Sequence, residues 1–389
     1  VETMLALQPK QYDGIKTACS ASQDPEVAAQ ELLQELAGIE LSQVVFFCSN
    51  DFDFEALAKA LGECFSGVNL VGCTTAGEIS PLGYCSGSIT AIGFPASSFA
   101  IQSALMSDLA RFSFADAQGL IHQMLDHCRE QQVAPIKGNT FALTLLDGLS
   151  VEEERLLRLL NAHLGSIPLL GGSAADDMCH NKTHVYYDGR FHTNAAILLL
   201  VNTAFDFEAF SIHHLLPTDD KLVVTNADPL ERRVFEINAE PAALEYARVL
   251  NIPLETLNPQ IFALNPLSVK IGERYYPRAI QKVNPDNSLS FYCAVDTGIV
   301  LTCSRSDDML AQLDGLFDDI SQRIGTPQLI LGYDCIFRRL ELQHLGLLET
   351  ASTMFAHHKV IGFNTYGEQF NGMHLNQTFT GVALGGNDY

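Results

Sequence analysis

The chain has 389 residues, 47% of them hydrophobic, and a formal net charge of -23 from 23 basic and 46 acidic residues. That length allows two domains with cores of their own, and that charge repels nucleic acid and anionic membrane surfaces, which both need Lys and Arg to neutralise phosphate. No basic run occurs, and the most apolar run, AAILLLV at Ala195–Val201, is far short of the roughly 20 residues of a spanning helix.

Residues 1–39 are expected to form an N-terminal helical segment. The opening VETMLALQPKQYDG lacks a basic region followed by an apolar one, so no secretory signal is expected. Next, VVFFC (Val44–Cys48) reads as a buried strand. It is followed by DFEALAKALGECF, in which Phe54, Leu57, Leu61 and Phe65 fall at helical spacing. LVGCTTAGEI (Leu70–Ile79) then runs from a short strand into a glycine-rich turn, and SITAIGF (Ser88–Phe94) is a further strand.

The order repeats. TFALTLLDG (Thr140–Gly148) is a strand, and VEEERLLRLLNAHLG (Val151–Gly165) is an amphipathic helix with acids in its first turn, where the helix dipole favours them. PLLGGSAADD (Pro168–Asp177) has the shape of the earlier turn, and Asp188-Gly189 marks a hairpin in the stretch that follows. Near the C-terminus, QLILGYDC, a helical stretch, VIGFNTYGEQ (Val360–Gln369) and NQTFTGVALG give a third copy. One strand–helix–strand–loop–strand unit is therefore used three times, with glycines where the backbone turns tightly.

Residues 203–300 differ, with further strands, turns and a helix beginning near Pro241. The partition expected is a first domain over 40–235 and a second over 236–389. The fold class is α+β: mixed and antiparallel sheets layered with helices.

GCTTAGEI, LLGGSAADD, VFEINAEPAALEYARVL and FNTYGEQFNGMHLNQTFTGVAL together resemble the FIST family, over about residues 40–385. The resemblance implies paired FIST N and FIST C domains serving as a bacterial signal-transduction sensor. A stand-alone chain of this length is similar to the NosP type, which implies bound haem b, nitric oxide as the signal and a separate histidine kinase as the partner.

A haem sensor needs an axial ligand in an apolar pocket, and neutral His is the usual proximal ligand. Among twelve His, His213 and His214 lie in FEAFSIHHLLP, which reads as a strand. On a strand, His214 shares a face with Phe210, Ile212 and Leu216. His214 is the first choice of ligand and His213 the second. Where many FIST proteins carry Gly-Trp, this chain has His214-Leu215.

The ten Cys form no CxxC pair and several sit in apolar runs, as free thiols in a reducing cytoplasm do. Cys73 and Cys179, beside the repeated turns, are the other candidates for an iron ligand or redox switch. A rival within the family is a small polar ligand, such as an amino acid, bound at the turns through Thr74, Thr75, Glu78, Asn364, Thr365, Glu368 and Asn376. Enzyme signatures are missing: there is no GxSxG elbow, P-loop, dinucleotide fingerprint or HExxH. A binding module, possible as a homo-oligomer, is the expectation.

Overall fold

The structure, a computed structural model, describes residues 13–385. Residues 1–12 of the expected helical segment, and residues 386–389, lie outside those described.

The first unit runs β1 (Lys16–Ser20), α1 (Pro25–Leu36), β2 (Leu41–Ser49), α2 (Phe54–Cys64), β3 (Leu70–Thr75), a hairpin of β4 (Glu78–Ser80) and β5 (Gly83–Cys85), then β6 (Ile89–Pro95). The second repeats it as β7 (Phe99–Ser107), α3 (Phe114–Gln131), β8 (Thr140–Leu146), α4 (Glu153–Leu164), β9 (Leu169–Ser173), hairpin β10 (Val185–Tyr187) and β11 (Arg190–His192), and β12 (Ala195–Thr203). The third opens with β13 (Phe207–Ile212) and is then interrupted by an insertion. That insertion holds β14 (Leu215–Asp228), β15 (Arg233–Ile237), β16 (Glu240–Pro241), α5 (Ala242–Leu250), α6 (Pro259–Leu264), β17 (Leu267–Ile271), β18 (Arg274–Arg278), β19 (Ile280–Val283), β20 (Leu289–Phe291) and β21 (Val300–Ser306). The third unit resumes with α7 (Met309–Ile324), β22 (Pro327–Cys335), α8 (Ile336–His344), α9 (Leu348–His357), β23 (Val360–Thr365), hairpin β24 (Glu368–Phe370) and β25 (Met373–Leu375), and β26 (Phe379–Gly385).

Local chemistry explains the joints. Asp24 and Asp53 cap α1 and α2 by accepting from two backbone N–H groups each, and Ser113 and Asp116 form a capping box on α3. Asp188-Gly189 and Asn371-Gly372 both have positive φ at the two turn positions, the arrangement a two-residue hairpin needs.

Each unit makes the same sheet. Its second strand (β2, β8 or β22) pairs in parallel with the strand after the following helix or helices and antiparallel with the returning strand. The hairpin then leaves for a neighbour. β4–β5 joins the third sheet through β23, β10–β11 joins the first through β3, and β24–β25 joins the second through β9. Three six-stranded sheets result, with one strand order, closed into a cycle by exchanged hairpins.

The long strands are buried on both faces, which is why they read as unbroken apolar runs. Val45 and Phe47 of β2 face a central core shared with Leu143, Leu145, Leu331 and Tyr333 of the other two sheets. Val44, Phe46 and Cys48 face the opposite way, under α1 and α2. The insertion builds its own eight-stranded sheet, whose core continues onto Ala76, Ala175 and Tyr366 of the three repeated turns. Residue 235 lies within β15 of this insertion. Among the described residues, no helix is long and apolar enough to cross a membrane.

Candidate functional site

The three turns meet under the insertion. Ala76 N–H donates to the Asn364 carbonyl (3.0 Å), Ala175 N–H to Thr74 (3.0 Å) and Tyr366 N–H to Ser173 (3.2 Å). Each bond crosses from one unit to the next, so the repeated figure closes a ring of backbone hydrogen bonds.

The candidate turn residues lie in this ring, fully buried and bonded to the protein itself. Thr75 and Ser88 hydroxyls donate to the Glu78 carboxyl, and Thr365 and Thr378 hydroxyls donate to Glu368 at the same sequence offsets. Burial outweighs those donors and pushes the Glu368 carboxyl up to about 8, and it raises Glu78 as well. Thr74 Oγ1 accepts from His184 N–H (3.0 Å). Asn376 Oδ1 accepts from Ala279 N–H (3.1 Å) and is 2.9 Å from Cys293 Sγ.

The strand expected through FEAFSIHHLLP stops at Ile212. His213 and His214 form the link between β13 and β14, at the neck of the insertion. There the His214 carbonyl accepts from Asp307 N–H (2.8 Å), joining the chain's entry to its exit. The period-two reading of the histidine face therefore fails. Phe210 packs on Phe379, with ring centroids 5.2 Å apart, in the core beneath α7, and Leu216 pairs with Arg305 on β21. His214 is buried among charges instead. Its Nδ1 is 3.0 Å from Arg338 Nη1 and its Nε2 is 2.8 Å from Glu341 Oε2. A guanidinium only donates, so Nδ1 accepts and Nε2–H donates to Glu341. Burial, stronger than the Glu341 bond, lowers the His214 pKa and keeps the ring neutral.

Arg338 Nε continues to Asp334 Oδ1 (2.7 Å). The other Asp334 oxygen accepts from Tyr84 (2.6 Å) and from the Asn364 amide (3.1 Å). Arg339 donates to Asn364 Oδ1 (3.0 Å). Two groups separated in the sequence reading, His214 and Asn364, are thus joined through Arg338 and Asp334. Sequence reasoning missed these partners. The available signal was the Arg338-Arg339 pair on a helix that starts directly from a buried strand.

A second ionic cluster ties the insertion to the second unit. Arg232 Nη2 donates to Glu153 (2.6 Å) and to Glu154, and Ala294 N–H donates to Glu154 (2.7 Å). His374 is buried nearby with neither ring nitrogen hydrogen-bonded.

His213 is half-buried on the wall of a cavity of about 490 Å³ between the insertion and the body, which Ile212, Arg274, Tyr276, Phe370 and Met373 also line. Its Nε2 donates to the Tyr275 carbonyl (3.1 Å) and its Nδ1 accepts from Leu215 N–H (3.2 Å). As bonded, neither histidine of the pair presents an open ring nitrogen to iron. Burial raises the Cys73 thiol well above its ordinary range, which opposes a thiolate ligand, whereas Cys179 is exposed. Among the described residues, no group of three or more His, Cys, Asp or Glu could hold a metal ion.

Comparison with known proteins agrees with this architecture. Over 201 residues the chain is 23% identical to the uncharacterized protein MJ1623 of Methanocaldococcus jannaschii. That match covers 48% of this chain and 38% of that protein, so the chain spans well under half of this relative's length. The FIST N domain matches residues 42–240 and the FIST C domain residues 242–371, meeting inside the insertion. Matched by these two domains over most of its length, the chain belongs to the FIST family of signal-transduction sensor modules.

Proposed function

We propose that the chain is a haem-based sensor of nitric oxide that regulates a separate histidine kinase in the cytoplasm, without enzymatic activity of its own. The observation that carries a sensing role is the seam between insertion and body. It is held by two buried ionic clusters, and one of them reaches the ring of turns. Arg338 Nη2, Glu341 Oε1 and Arg232 Nε are buried there without a partner, and each such group costs about 1–3 kcal/mol. A seam carrying those costs shifts when a ligand binds one arrangement more tightly by a few kcal/mol. Haem b, when bound, supplies an iron that takes nitric oxide. His213 and His214, as hydrogen-bonded, do not fit the ligand role, and their place is the hydrogen bonding of the neck.

The test is the absorption spectrum of the full chain reconstituted with haem, reduced, and exposed to nitric oxide, followed by kinase autophosphorylation with the loaded protein. A Soret band that moves with nitric oxide, together with a change in phosphorylation, is the expected result. No stable Soret band sinks the proposal.

A second reading rests on the seam cavity itself. Arg274, Gln312 and Asn371 on its wall suit a small polar ligand without haem. It predicts colourless protein whose melting temperature rises with a free amino acid.

A further inference from the structure

The sensor reading needs a histidine with an accessible ring nitrogen, and the His213–His214 pair does not offer one. A different histidine does. His184 lies just before β10, at the inner end of the exchanged hairpin. It lines a groove of about 510 Å³ between α2 and the β10–β11 hairpin. Its Nδ1 is buried without a partner, whereas Nε2 is accessible and bonded to no protein group.

The walls are aromatic. The His184 ring lies 4.6 Å from the Phe54 ring and 6.2 Å from Phe191, and Phe54 and Phe191 are 4.8 Å apart. Lys59, whose Nζ is 4.0 Å from Glu63 one turn along α2, and Arg190 stand on the groove, with Glu55 as the carboxylate of its lining. In a chain of net charge -23, a groove with two cations and flat apolar walls suits a planar aromatic ring that carries acidic groups. Burial lowers the His184 pKa, leaving a neutral imidazole at neutral pH, the form that binds a metal.

The position also has a route inward. His184 N–H donates to Thr74 Oγ1 (3.0 Å), and its carbonyl accepts from Thr74 N–H (3.0 Å). The Thr74 carbonyl is one acceptor of the central ring. A pull on His184 therefore acts on the ring through one residue.

We propose that the groove between α2 and the β10–β11 hairpin is the docking site of a planar anionic tetrapyrrole, with His184 Nε2 as the nitrogen offered to its iron. This rests on the haem-sensor reading and replaces His213 and His214 as the ligand.

The experiment titrates haemin into the full chain as wild type, His184→Gly, His213→Ala and Lys59→Glu/Arg190→Glu, read by the Soret band. Parallel titrations use iron-free protoporphyrin IX, read by its own fluorescence, with far-UV circular dichroism as the folding control. The expected result is that His184→Gly weakens haemin binding about tenfold or more, added imidazole restores the band, and His213→Ala leaves it unchanged. The charge-reversed variant should lose both haemin and the iron-free ring, whereas His184→Gly should keep the latter. A normal Soret band in folded His184→Gly, lost instead in His213→Ala, overturns the assignment and leaves the sensor reading standing. No Soret band in wild type, with no binding of the iron-free ring, defeats both.

Discussion

A Cβ built on Gly362 would lie 1.7 Å from the carbonyl oxygen of Gly332 on the paired strand. Its counterparts also come closer than any real Cβ contact allows: Gly72 meets the Phe46 carbonyl at 2.5 Å and Gly171 the Thr144 carbonyl at 2.1 Å. The first glycine of the repeated figure therefore serves the approach of β23, β3 and β9 to their parallel partners. Gly362→Ala forces the two strands apart, and about 3 kcal/mol or more of stability should be lost. Gly315→Ala, in α7 with nothing within 4 Å of its Cβ, should instead gain up to about 1 kcal/mol. Urea unfolding of both variants checks the pair, and equal midpoints would refute the close-approach account.

Glu368 makes stability depend on pH. Its carboxyl titrates at about 8 in the folded protein, chiefly because it is buried, against an ordinary value of about 4.3 in the unfolded chain. The folded state thus binds the extra proton between those values. This contribution is full below about 4.3 and is lost as pH rises through about 8. Each tenfold change in proton affinity is worth ~1.4 kcal/mol, so the effect spans a few kcal/mol. Glu368→Gln keeps the shape without the proton. Its urea midpoint should fall less than that of wild type between pH 5 and pH 9, and parallel curves would contradict the assignment.

How far the fold can be read from the chain follows from the range of each interaction. The glycines, the helix caps and the Asp188-Gly189 turn are local, and they mark the three units in the sequence alone. The destination of each hairpin is not local: Glu368 pairs with Gly172 and Glu78 with Phe363, across distant stretches of chain. Nothing near the turn encodes that partner. The same limit applies at His214. Alternation continues through Ser211-Ile212-His213, but the strand ends because the His214 carbonyl bonds Asp307 and its ring bonds Arg338 and Glu341. A buried arginine on α8 cannot be told from an exposed one until its distant partners are placed.

Thiol reactivity separates the cysteines. Cys179 is exposed on the loop before β10, whereas Cys48, Cys73, Cys128, Cys293, Cys303 and Cys335 are buried. Burial and the neighbouring Asp176 and Asp177 raise the Cys179 pKa, so its labelling should accelerate with pH above neutrality. Native protein treated with a thiol-specific chromogenic disulfide should give one fastest equivalent, absent in Cys179→Ser, ahead of the half-buried Cys19, Cys64 and Cys85. The buried six should react only in denaturant. More than three equivalents in native Cys179→Ser, beyond the half-buried Cys19, Cys64 and Cys85, would show that the core opens more readily than its packing implies.

His214 and Glu341 should be strongly coupled. Removing the imidazole leaves Arg338 and Glu341 buried without their shared partner, so His214→Ala should cost about 3–5 kcal/mol. Glu341→Leu should cost less, because His214 keeps its bond from Arg338 and loses only one acceptor. In the double variant no imidazole is left to face the missing carboxylate, so the combined loss should fall short of the sum by about 1–2 kcal/mol. Additive losses would place the two side chains in separate environments. The same series has a second readout. Because His214 holds the neck of the insertion, His214→Ala should also speed proteolysis at the entry and exit of residues 215–306, while Glu341→Leu does so less. Equal cleavage in wild type and His214→Ala would remove this residue from the clamp.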